Sequence, residues 1–217
     1  FKSGDSLLAS VIGRSNQNVY LQDSTGRFYA VPSHTLPSAR GQGEPASGKL
    51  NLPTGATLTG LIMGEDDKEV FVGTSAGYGF RTTITDLHTK NKAGKSVVKI
   101  SPYAQVVQPK LIYDENSLIV AVSNEGRMLV FDISNVPKLA KGKGNKIINI
   151  PSARLKRGEE WVVDYAIVGQ GTSLLVYSGK RYLSLKYGDL EHYIGERGRR
   201  GHKLPRGFQR VDYLKSE

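Results

Sequence analysis

Gly73 to Gly77 reads G-T-S-A-G, the spacing with which acyl-transferring hydrolases set a nucleophilic serine on a sharp strand-to-helix turn. That chemistry needs a helix straight after the turn, to support the groups that receive the oxyanion. Here the next residues are Y-G-F-R-T, a strand-like run, and Ser75 shares its register with Ser24 and Asn124 in two similar stretches. Ser75 is therefore read as a hairpin residue, small and polar because tight turns favour such side chains. Lys92 to Ser96, K-A-G-K-S, resembles the end of a phosphate loop, but that motif requires glycine at position 89, where Thr89 stands. Gly41 to Ala46, G-Q-G-E-P-A, starts like a dinucleotide fingerprint, yet Pro45 and Gly48 follow where the helix would have to begin. The acids of E-D-D-K-E, Glu65 to Glu69, are placed as a solvated turn between two strands rather than as a metal cluster. Trp161 and the eleven tyrosines could stack on bases, but most are more simply read as core or blade-interface residues, since aromatics suit half-buried strands. No catalytic, metal or cofactor site is expected.

One pattern survives this sifting because it recurs. G-E-R-G-R-R-G-H-K-L-P-R-G, Gly195 to Gly207, sets Arg197, Arg199, Arg200, Lys203 and Arg206 among glycines with one acid, Glu196. K-N-K-A-G-K-S contributes Lys90, Lys92 and Lys95, and A-K-G-K-G-N-K contributes Lys141, Lys143 and Lys146. S-A-R-G-Q-G-E-P, earlier in the chain, offers Arg40. Cations interleaved with glycines suit phosphate binding, since the main chain can approach as closely as the Lys and Arg side chains do.

These loops need elements that present them alike, and the sequence supplies a repeat. Turn glycines Gly26, Gly77, Gly126 and Gly179 follow β-rich runs at spacings of 51, 49 and 53 residues. An aliphatic residue lies ten or eleven positions beyond each: Leu36, Leu87, Val136 and Leu190. Each unit reads as strand, hairpin, strand, short helical turn or loop, basic or polar loop, and a further apolar strand (K-L-N-L-P, S-V-V-K-I, K-I-I-N-I and, less regularly, F-Q-R-V-D-Y-L). With a leading run such as S-L-L-A-S-V-I-G or A-T-L-T-G-L-I-M-G, about four strands fall in each unit of about 50 residues. Such units make propeller-like blades, each burying its faces on its neighbours. The expectation is an all-β single domain over 1–217 with repeats at approximately 1–52, 53–101, 102–151 and 152–217.

Composition agrees. A chain of 217 residues can bury roughly 70% of its unfolded surface without staples. It holds no cysteine and four histidines, which excludes disulfides and thiolate zinc sites and suits a reducing cytoplasm. No apolar run approaches the roughly 18–20 residues needed to cross a bilayer, so no membrane role is expected. The net charge of +10 attracts polyanions. The opening F-K-S-G-D-S, without an initiator Met, reads as part of a longer chain.

S-N-Q-N-V-Y-L-Q-D-S-T-G-R-F-Y-A-V, L-P-S-A-R-G-Q-G-E-P-A-S-G-K-L, S-A-G-Y-G-F, K-G-K-G-N-K-I-I-N-I-P-S-A and G-E-R-G-R-R-G together resemble the C-terminal domains of the A subunits of bacterial topoisomerase IV, relatives of the gyrase A-subunit tail. The likeness spans essentially the whole chain. It implies a β-pinwheel, an open C-shaped array of four-stranded blades that exchange strands, with a fifth blade ahead of Phe1. It also implies a non-catalytic module that binds and bends double-stranded DNA without sequence preference on a basic outer rim, so setting the enzyme's preference for substrate topology. The cleavage tyrosine and the ATPase would lie on other parts of the enzyme. The implied partners are the remainder of the A subunit, with the B subunit reached through it, and the domain itself would be monomeric in the bacterial cytoplasm. The gyrase relatives carry a basic box, Q-R-R-G-G-K-G. G-E-R-G-R-R-G is its nearest counterpart here and the other two loops are degenerate, so the resemblance points to the topoisomerase IV role rather than to wrapping with fixed handedness. A propeller that docks an acidic protein is the competing reading, because fold does not fix function.

Overall fold

The computed structural model describes residues 3–217; Phe1 and Lys2, the start of the first unit, lie outside them. The first unit supplies β1 (Asn18–Asp23) and β2 (Arg27–Pro32), joined at the Gly26 turn. The second supplies β3 (Leu58–Ile62), the hairpin β4 (Glu69–Gly73) and β5 (Tyr78–Thr83), a helical turn α1 (Ile84–Leu87), and the short β6 (Lys95–Ser96). The third repeats this with β7 (Lys110–Ile112), the hairpin β8 (Leu118–Ser123) and β9 (Arg127–Asp132), and β10 (Asn145–Lys146). After α2 (Ser152–Lys156) come β11 (Val162–Val168), the hairpin β12 (Ser173–Ser178) and β13 (Arg181–Lys186), β14 (His202–Lys203), and β15 (Tyr213–Ser216).

The sheets do not follow the repeats. Their strand orders are β3-β1-β2-β6, β10-β5-β4-β7, β11-β8-β9-β14 and β13-β12-β15. Each of the first three hairpins is thus flanked by two strands from the unit after it, which is the expected strand exchange. The last sheet has three strands, and among the described residues none of them pairs with the first sheet, so the array is open. The leading run S-L-L-A-S-V-I-G departs from its expected strand. In later units the corresponding segments pair with the preceding hairpin, whereas no hairpin precedes Leu7 among the described residues, and Leu7, Leu8 and Ile12 remain exposed. K-L-N-L-P likewise forms no strand, following the 3-10 turn Ala46–Lys49, and S-V-V-K-I and K-I-I-N-I contribute only Ser96 and Lys146 to β6 and β10.

Strand alternation buries both faces of the middle sheets. Tyr20 and Phe28 of the first sheet meet Val70, Val72 and Phe80 of the second. Phe71, on the second sheet's opposite face, packs with Ile119, Leu129 and Tyr165. Val120 and Met128 of the third sheet meet Leu174 and Val176 of the fourth. Each such side chain contributes roughly 1.5–3 kcal/mol by leaving water, so every blade depends on its neighbours.

Polar groups fix the turns. Asp23, fully buried, accepts hydrogen bonds from Thr25 N (2.8 Å), Thr25 Oγ1 (2.6 Å), Arg27 N (3.1 Å) and the Tyr29 hydroxyl (2.6 Å). Burial, reinforced by that carboxylate, pushes the Tyr29 phenol well above its usual range. Ser75 accepts from Gln105 N (2.9 Å) within the β4–β5 turn, and the next element is the strand β5. Among the described residues no group of acids, histidines or cysteines could hold a metal ion, and no helix is long and apolar enough to cross a membrane.

Candidate nucleic-acid interface

Three basic loops end in equivalent exchanged strands. Lys95 and Ser96 pair with Phe28 and Arg27, Asn145 and Lys146 with Gly79 and Tyr78, and His202 and Lys203 with Met128 and Arg127. Each loop therefore arrives on the outermost edge of the preceding blade, just past the hairpin turn. The glycine at the end of the loop has a reason distinct from phosphate approach. Gly144 has φ 78°, and a Cβ there would lie 2.2 Å from the Gly79 carbonyl oxygen. Only glycine lets the loop close so tightly on the sheet it joins.

The loops are also joined to one another. Asn51 N donates to Lys92 O (2.9 Å), Lys99 N to Gly142 O (2.9 Å), and Asn149 N to Arg199 O (2.9 Å). Lys92, Gly142 and Arg199 each stand three residues before an exchanged strand, so the same bond recurs from unit to unit. Loops two, three and four, with the tail of loop one, consequently form a main-chain belt running from blade to blade.

The cations on this belt differ in how free they are. Lys90, Lys92, Lys141, Lys143, Lys203 and Arg206 are exposed, and among the described residues none of them has a carboxylate at ion-pair distance. Arg40 is exposed in the first unit's loop, which forms no exchanged strand. Lys95 donates to Asp86 O (2.6 Å), Lys146 to Asn149 Oδ1 (3.3 Å), and Arg197 to Lys146 O (3.0 Å). Arg199 faces Glu196 at 3.1 Å with both side chains more than 70% exposed, a pairing water competes for readily.

Arg200 is different. It is half-buried, donates to Asn149 O (2.8 Å) and lies 3.0 Å from Glu160 Oε2. Glu160 is fully buried and also meets Arg154 of α2 at 3.2 Å. The geometry makes Arg200 a staple for the fourth loop.

Sequence reasoning missed the residues that anchor the loops. Arg27, directly after its turn glycine, donates to Ala93 O and Gly94 O (both 2.9 Å). Arg127, at the same register, reaches Gly201 O (3.4 Å). In the second blade Tyr78 takes that place, and the polarity reverses: Lys143 of the incoming loop sits over the ring, 4.1 Å from its centroid. The signal was a G-R pair at Gly26–Arg27 and Gly126–Arg127, with G-Y between them. Further along, Arg81 donates to Val136 O (2.8 Å), and Glu69 joins Arg81 (3.0 Å) and Lys138 (2.7 Å) at the start of the third loop. Burial alone would raise the Glu69 carboxyl, but its hydrogen bond from Lys138 and the charge of Arg81 prevail and hold it below the usual range.

A family model described as the DNA gyrase C-terminal domain, beta-propeller, matches residues 68–112 and 117–167. The chain is 51% identical to the A subunit of DNA topoisomerase 4 from Pseudomonas aeruginosa, an alignment that takes in 99% of the chain and 28% of that protein. The chain thus spans under a third of the curated relatives it matches. A solved structure of the E. coli ParC C-terminal domain superposes with a TM-score of 0.85 at 47% identity, covering 100% of the chain and 88% of that domain. A DNA gyrase A C-terminal domain shares the fold, with a TM-score of 0.74 at 17% identity over 97% of the chain and 69% of its own.

Proposed function

The chain belongs to the family of C-terminal domains of topoisomerase IV A subunits, and we propose from that premise that it binds and bends duplex DNA along the loop belt without reading sequence. The observation that carries this reading is the recurring main-chain hydrogen bond that links the basic loops of successive units, which supports a single path for their cations. Main-chain contacts and Lys or Arg side chains position a phosphate backbone without conveying sequence, and a curved path favours bent DNA.

Lys90, Lys92, Lys95, Lys141, Lys143, Lys146, Arg197, Arg199, Lys203 and Arg206 are the proposed contacts, with Arg40 as an outlying one. Arg200 we assign to holding the fourth loop in shape, because Glu160 and Asn149 O already occupy its guanidinium. In the whole protein this module would set the preference for DNA topology, while strand cleavage would belong to the upstream part of the A subunit and ATP hydrolysis to the partner B subunit, in the bacterial cytoplasm. The domain itself would be monomeric.

The test is fluorescence anisotropy with random-sequence duplex across a salt series. If six to ten phosphates are neutralised, affinity should fall roughly 10³- to 10⁵-fold between 50 and 200 mM salt. Absence of binding, or binding indifferent to salt, would refute the proposal and leave the reading of a module that docks an acidic protein.

A further inference from the structure

Tyr103 is the only non-glycine residue with positive φ among those described, at 64°, and it is 65% exposed. It follows Pro102 in a turn closed by Ala104 N donating to Ser101 O (3.2 Å). Proline at the second position and a positive φ at the third define a type II turn, where glycine or asparagine is the favoured third residue. A bulky aromatic there is held against its own backbone preference, and such strain is a pointer to function rather than to stability.

The ring stands at the edge of a groove of about 390 Å³. Its floor and walls include Ala76, Tyr78 and Leu155, and two cations flank it: Lys143 over the Tyr78 ring, and Lys156 with Nζ 5.9 Å from the centroid of the Tyr103 ring. Among the described residues no carboxylate lines the groove. Lys143 belongs to the third basic loop, so the groove opens directly beside the belt. An apolar slot with aromatic walls and cations on either side matches one group in particular: a planar base carried between two phosphates.

We propose that Tyr103 is a stacking wedge, inserting against a base step or taking up an unstacked base of DNA bound on the belt, while Lys143 and Lys156 hold the adjoining phosphates. The inference rests on the duplex-binding reading and adds a place where the bend is concentrated. Aromatic or apolar wedges of this kind partly unstack a step and kink the duplex, and a step that is already mispaired resists less.

The experiment compares two duplexes of equal length and flanking sequence, one fully paired and one with a single T·T mismatch, by anisotropy at fixed salt. The wild-type chain should prefer the mismatched duplex by about five- to twentyfold. Tyr103→Gly, which suits the native φ and so preserves the turn, should abolish that preference, the loss of affinity falling chiefly on the mismatched duplex. Tyr103→Phe should retain the preference. A Tyr103→Gly protein that still discriminates, or a wild-type chain that binds both duplexes equally, overturns the wedge and leaves duplex binding standing. A wild-type chain that binds neither overturns duplex binding itself and the wedge with it.

Discussion

Two neighbouring arginines of the fourth loop should respond in opposite ways to the same substitution. Arg200→Ala removes a bond to the buried Glu160 carboxylate (3.0 Å) and one to Asn149 O (2.8 Å). Complete loss of partners from a buried charge costs about 3–5 kcal/mol, but Glu160 keeps Arg154 and the Arg200 side chain is a third exposed, so losing the two charge-assisted bonds should cost a net of about 2 kcal/mol. For a domain of this size that lowers the melting temperature by about 4–8 °C. Arg199→Ala removes a pair whose side chains are 74% and 78% exposed, and stability should change by less than about 0.5 kcal/mol. DNA binding should reverse the order. Arg199→Ala lowers the slope of log affinity against log salt by about 0.9, the loss of one phosphate contact, whereas Arg200→Ala leaves that slope unchanged at temperatures where the variant is folded. Calorimetry and a salt series of anisotropy titrations on both variants decide the matter. If Arg200→Ala melts with the wild type and loses the same slope as Arg199→Ala, the division of labour argued from Glu160 is wrong.

Gly144→Ala should cost at least about 2 kcal/mol in urea unfolding, since φ is 78° and the new Cβ would meet the Gly79 carbonyl; Gly188→Ala, with open space around it, should stay within about 0.5 kcal/mol. Tyr29→Phe leaves buried Asp23 without its 2.6 Å hydroxyl bond and should destabilise by about 1–3 kcal/mol in the same assay. Glu69, whose carboxyl is held below its usual range because Lys138 and Arg81 outweigh the effect of burial, contributes stability that is fully present at neutral pH. That contribution is lost as pH falls from about 5 through the folded value, so thermal melts of Glu69→Gln should decline less steeply with acid than those of the wild type. An unchanged acid limb would refute it.

What the sequence by itself determined is local. Gly26, Gly77, Gly126 and Gly179 all adopt positive φ, as hairpin turns after strand-like runs require, because turn geometry and two-residue alternation depend on residues a few positions apart. The spacing of those turns was enough to reveal the repeat, and the charged loops were visible as composition. Which hairpin each loop strand joins was not legible, since Lys95 meets Phe28, and Lys203 meets Arg127, across more than 60 residues. Nor was the fate of individual cations: Arg199 and Arg200 are adjacent and chemically identical, yet one faces solvent and the other a buried Glu160. The angle between blades sets which groups meet across such separations, and that angle arises from the packing of whole sheet faces, a property no short stretch of sequence carries.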